Sequence, residues 1–201
     1  MGLLSQSATF VRYAVEGEMP ENFWDFVADR VLRHSFKDID ETHDESSIGW
    51  VSVGSMFDSS FAYASYAAGD YVALSLRIDE RKVSSAVLKK MCMKEEERVR
   101  KEKKVPKLSR GKRIEIKENV RLMLMKKADP VPAVYDMCWN LADQTVLFFS
   151  TSAKAQALFE DFFKETFDLH LVLQIPYLTA GRLLSDADAD RLADLTPCLF
   201  V

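Results

Sequence analysis

Apolar and polar positions alternate in ATFVRYAVEG, residues 8–17, which also carries β-branched and aromatic side chains; this pattern predicts a strand with one buried face. Pro20 then opens ENFWDFVADRVLRHSF. There Phe23, Phe26, Val27, Val31 and Phe36 recur at helical spacing, with Glu21 in the first turn and Arg33 and His34 near the last. After the polar, acidic loop KDIDETHDESS, IGWVSV reads as a short strand and GDYVALSLRID, residues 69–79, as a longer one.

Ser84 or Ser85 can cap a helix over about 85–104, which Pro106 ends. Ser109 can cap a second, running to about Lys127 and stopped by Asp129, Pro130 and Pro132. PAVYDMCWN and QTVLFFST predict a β-hairpin around Asn140–Gln144. Ser152 leads into AKAQALFEDFFKETF, whose Ala155, Leu158, Phe159, Phe162 and Phe163 form a broad apolar face. LHLVLQI is a strand, YLTAGRLL a short helix and DADADRLADL a terminal acidic helix. Trp24, Trp50, Trp139, Phe148, Phe149, Phe159 and Phe162 fall at buried phases of these elements and are expected in the core.

The order predicts an α+β fold, a mainly antiparallel sheet with helices packed on it. The two central helices, residues 83–127, read as an insertion protruding from a body of residues 1–82 and 128–201. Twenty helical residues span about 30 Å, so this insertion is a finger rather than a tight connection.

Charge sharpens that picture. The formal net charge is −4, yet Arg77 to Lys127 holds nineteen Lys/Arg against eight Asp/Glu, while the rest holds eight against twenty-three. Within KEEERVRKEKKVPKLSRGKR, residues 94–113, ten side chains are basic. Lys90, Lys94, Arg98 and Lys101 share one face of the first helix, and Arg110, Arg113, Lys117 and Arg121 one face of the second. With Lys89 and the turn residues Lys103, Lys104 and Lys107, these twelve form a candidate polyanion grip. Extended rows of cations bind nucleic acid by counterion release, and base-stacking aromatics are absent from the finger, so backbone contact without sequence readout is the expected mode. A solvated face stabilised by Glu–Lys pairs, with Glu95, Glu96 and Glu97 as partners, is the competing account.

Other chemistry finds little support. No apolar run approaches the roughly 18 residues of a membrane span, and the start lacks the pattern of a secretory signal. Cys92, Cys138 and Cys198 are odd in number and far apart, which suits a reducing cytoplasm. Glu115-Ile116-Lys117 matches the E-x-K of one nuclease pattern but lacks a partner Asp. Asp186-Ala187-Asp188-Ala189-Asp190 opens like a calcium loop, then places Arg191 where glycine is needed and Pro197 where glutamate is needed. Asp38, Asp40, Glu41, His43, Asp44 and Glu45 form an exposed acidic loop, and His34, His43 and His170 have no nucleophile beside them. No cofactor or metal is expected, and a non-enzymatic protein is the reading.

IGWVSVGSMFD, YVALSLRIDERKVSSAVLKK, the charged helical pair and VYDMCWN followed by TVLFFSTSAKAQALFEDFF together resemble the recombination-associated RdgC family. The shared features are Gly49-Trp50-Val51, the Ser-rich link into Ala86-Val87 and the turn Ser150–Lys154, spread over residues 8–175. The resemblance implies a nucleoid-associated protein that binds double-stranded DNA without sequence preference, as a homodimer or other homo-oligomer encircling the duplex, and restrains RecA-type recombination. Family members carry a further C-terminal region that supplies a second dimer contact, whereas this sequence stops soon after the central body; a dimer joined at the fingertips, or a different assembly, is therefore as consistent with it as a closed ring. A protein-interaction or self-association module, and a divergent metal-dependent nuclease, stand as alternatives.

Overall fold

The computed structural model describes residues 2–185, 188, 191 and 194. Its strands are β1 (Val11–Glu16), β2 (Ser46–Val51), β3 (Ala67–Ala68), β4 (Tyr71–Arg81), β5 (Pro130–Asn140), β6 (Thr145–Phe148) and β7 (His170–Leu173). Its helices are α1 (Phe23–Arg33), α2 (Ser85–Lys103), α3 (Arg110–Met125), α4 (Ala153–Phe167) and α5 (Pro176–Leu183). The fold is α+β, with the strands in one antiparallel sheet of order β2-β4-β5-β6-β1-β7 and β3 beside β4.

By internal contacts the chain divides into two compact units, Met1–Ser35 with Trp50–Leu76 and Tyr135–Val201, and Phe36–Gly49 with Arg77–Val134. In the first, β1 is flanked on both sides: Tyr13 lies opposite Val146 of β6 and Leu173 of β7. The β5–β6 hairpin forms where expected, because Asn140 Oδ1 accepts from the Ala142 amide at 3.0 Å and Gln144 takes the left-handed conformation that closes the turn.

The α4 periodicity becomes an aromatic core. Phe159 stacks on Phe148 with centroids 4.1 Å apart, Trp139 meets Phe163 and Phe167, and Trp50 packs against Phe162. Trp50 is fully buried and its indole N–H donates to Thr166 Oγ1 at 3.0 Å, so the polar end of the ring is satisfied.

Three expectations change. Trp24 is 42% exposed, not core; it stands beside Phe23 on the outer side of a helix whose buried positions are Val27 and Val31. That helix spans Phe23–Arg33, and Phe36 is buried beyond its end, where the Arg77 guanidinium lies 4.1 Å from its ring centroid. Pro130 begins β5 instead of only ending a helix, a strand position where its missing amide donor is tolerated. The short 3₁₀ turn Ala62–Ala64, with Phe61, Tyr63 and Ala64 left-handed, had no sequence signal. The acidic run DADADRLADL lies outside the described residues except for Asp188, Arg191 and Asp194.

In the second unit Arg77 pairs in bidentate fashion with Asp79, at 2.9 and 2.6 Å, both groups being buried. Arg81, also buried, donates to the carbonyls of Ile39, Thr42, Asp44 and Ala128. These bonds fix the acidic loop and the chain just past α3 to the end of β4.

Candidate nucleic-acid interface

Local sequence builds both helices of the charged segment. Lys104 ends α2 in the left-handed conformation, two residues before Pro106, and Ser109 Oγ accepts from the Lys112 amide at 3.2 Å to cap α3. Residues 104–109 are short enough to set the helices antiparallel, and Val99, Ile116 and Val120 are buried between them with Leu88, Met91, Cys92, Leu108 and Leu124 alongside. That seam orients everything else on the hairpin.

All twelve predicted cations are exposed. They do not form one surface. On one face of the hairpin a groove of about 940 Å³ is floored by Met91, Val99, Ile116, Val120 and Met123, with Lys94, Glu95, Arg98, Glu102, Lys112 and Glu115 on its rims. The opposite face is lined by Met93, Glu96, Arg100, Pro106, Lys107, Leu108 and Arg113, and Lys94 and Glu97 border it as well. Helical periodicity adds Lys89 to this second face on α2, and Arg110, Lys117 and Arg121 on α3.

The two predicted stripes meet different electrostatic surroundings. In the α2 stripe, Arg98 Nη2 lies 2.5 Å from Glu95 and Nη1 3.1 Å from Glu102, and Lys101 lies 2.9 Å from Glu97. The hydrogen bond from Arg98 holds the Glu95 carboxyl below the usual carboxylate range, and that from Lys101 does the same for Glu97. In the α3 stripe the one ion pair among the described residues is Arg113 Nε to Glu96 at 3.8 Å. Lys89, Arg100, Lys107, Arg110, Lys117 and Arg121 form no salt bridge among the described residues.

Exposed pairs of this kind contribute little to stability and exchange readily, but the glutamate charges stay in place when a phosphate approaches. The α2 stripe is therefore close to neutral, and the α3 face is strongly positive. Arg100, absent from the predicted set, belongs to that face; it lies between Lys94 and Lys101 in sequence but turns about a quarter circle or more away from them, which a search for the longest Lys/Arg row passes over.

Glu115 and Lys117 of the E-x-K triplet sit two residues apart on α3 and point to different sides, Glu115 pairing with Lys112 on the groove side at 2.5 Å. Among the described residues no group of three or more His, Cys, Asp or Glu is placed to hold a metal ion. Cys138 is half-buried, and burial raises its thiol pKa, the opposite of an activated nucleophile. No described helix is long and apolar enough to cross a membrane.

Residues 13–179 match the family model described as "Putative exonuclease, RdgC". That span runs from within β1, takes in α2, α3 and the aromatic core, and covers most of the chain. No curated protein matches the sequence.

Proposed function

The chain belongs to the RdgC family, and from that membership and the charge on one face of its hairpin we propose that it binds double-stranded DNA through the phosphate backbone, without sequence preference. The observation that carries the reading is the row Arg110, Arg113, Lys117 and Arg121 with Lys89, Arg100 and Lys107 on the same face, of which Arg113 alone forms an ion pair among the described residues, with Glu96. Successive members of the α3 row rise by about 4.5–6 Å, a repeat that lets neighbouring cations reach successive phosphates. Three of the four are arginines, whose forked donors suit phosphate oxygens. Coating duplex in this way would act on recombination by limiting access of RecA-type filaments to it, in the nucleoid.

Fluorescence anisotropy with a labelled mixed-sequence duplex tests this. Affinity should fall by about a thousandfold between 50 and 200 mM salt if six phosphates are contacted, equally for unrelated sequences. Reversing Arg113, Lys117 and Arg121 to Glu should abolish binding. Undiminished binding by that variant would remove the hairpin from the interface.

A second reading draws on the groove. Its apolar floor and balanced rims favour protein contact, with a second copy of the chain or another helix, over phosphate. Sedimentation across a range of protein concentrations, without DNA, checks it: association should weaken when Met91 and Met123 are replaced by Lys. The nuclease reading is met by adding magnesium to the same duplex; degradation that disappears in Glu115→Gln would support it.

A further inference from the structure

We propose that Glu96 is an affinity-setting residue, a built-in competitor that holds Arg113 and keeps the cationic face of the hairpin from gripping phosphate at full strength. The inference rests on the reading that this face binds duplex. Its ground is position. Glu96 lies seven residues after Lys89 and four before Arg100, so it stands in line with both on α2. Across the seam its Oε2 is 3.8 Å from Arg113 Nε, the first inward member of the α3 row after Arg110. Every other glutamate of α2 is engaged elsewhere: Glu95 and Glu102 by Arg98, Glu97 by Lys101. Glu97 borders the same face but is held by Lys101, so Glu96 is the carboxylate there that pairs across the seam with the α3 row; its side chain is 32% exposed, so its charge is less screened than that of a free surface glutamate.

Two consequences follow for a phosphate docking on this face. Arg113 must first leave Glu96, and the carboxylate left behind repels the phosphate chain. Replacing Glu96 by Gln keeps the size and removes both costs. A stabilising role predicts the opposite sign, because losing a cross-helix pair would loosen the hairpin and weaken binding. A gain of affinity is therefore a signature that a merely structural glutamate does not give.

The experiment compares the full chain, Glu96→Gln, Glu115→Gln and Arg113→Ala by anisotropy on a labelled mixed-sequence duplex over a salt series, with thermal melts of each. Glu115→Gln makes the same change in net charge on the groove side and controls for total charge. Glu96→Gln should bind about fivefold more tightly at low salt, the scale of one weakly screened ion pair, with the salt slope steeper by about one phosphate. Glu115→Gln should move affinity far less, and combining Glu96→Gln with Arg113→Ala should cancel most of the gain. If Arg113→Ala weakens binding but Glu96→Gln equals the parent or Glu115→Gln, the proposal fails and the duplex-binding reading stands. If the parent and Arg113→Ala bind duplex alike, the proposal fails and Arg113 lies outside the interface; if neither binds, both fail.

Discussion

The Arg81 guanidinium donates to the carbonyl of Ala128, joining the last residue of β4 to the chain just beyond α3. Both ends of the helical hairpin are thus held at one buried charge, which also collects the carbonyls of Ile39, Thr42 and Asp44. Lysine cannot reproduce that fork, since its single ammonium reaches fewer acceptors and leaves carbonyls without donors. Arg81→Lys should lower stability by about 2–4 kcal/mol in urea denaturation. A midpoint within experimental error of the parent would mean that water satisfies those carbonyls equally well.

How much of this was legible in the sequence differs from element to element. The α4 span Ala153–Phe167 coincides with the segment read from its apolar face, and Ser109 caps α3 as its position suggested, because these are local signals. Trp24 was misplaced because periodicity on a short helix cannot say which edge of its apolar stripe meets the core; Phe23 takes the contact with Trp139 and leaves Trp24 outside. The candidate site shows the same limit. Sequence found the cations and the glutamates, but which carboxylate faces which stripe depends on the rotation of α2 against α3. That rotation is set by Val99, Ile116 and Val120 in the seam. Arg81, a lone arginine at the end of a strand, offered no pattern from which its carbonyl partners could be read.

Tyr13 is fully buried and its hydroxyl donates to Glu160 Oε1 at 2.9 Å. Burial, then the bond to Glu160 and its negative charge, raise the phenol pKa well above the ordinary value. A group whose folded pKa is raised binds more protons folded than unfolded, so its contribution is intact below about pH 10 and is lost as pH rises beyond that. Stability should fall more steeply above pH 10 in the parent than in Tyr13→Phe. In a tyrosinate absorbance titration Tyr13 should ionise last, together with unfolding; early ionisation of all six tyrosines would contradict the assignment.

Gly17 follows β1 with φ +141°, and a Cβ placed there would lie 2.6 Å from Leu169 Cδ2. Leu169 is buried and has little room to yield. Gly17→Ala combines backbone strain with a clash and should cost about 1–3 kcal/mol, seen as a lower urea midpoint with unchanged slope. Shortening the neighbour in Gly17→Ala/Leu169→Ala should relieve the clash but not the strain, so the pair should be less destabilised than the sum of the single variants.

Removing three cations from each stripe asks which side of the hairpin a duplex meets. Arg113→Ala/Lys117→Ala/Arg121→Ala strips the row whose one ion pair among the described residues is Arg113 with Glu96, and the slope of log affinity against log salt should shrink by about 2.7. Lys94→Ala/Arg98→Ala/Lys101→Ala removes the same formal charge from the side where Glu95, Glu97 and Glu102 already offset it. Its slope should change by less than about one phosphate, although its affinity drops modestly because unpaired glutamates then add long-range repulsion. The slope separates the two effects, because only cations in contact with phosphate release counterions. Equal changes in slope would place duplex against both stripes, and local compensation by glutamate would then not decide where the phosphate chain runs.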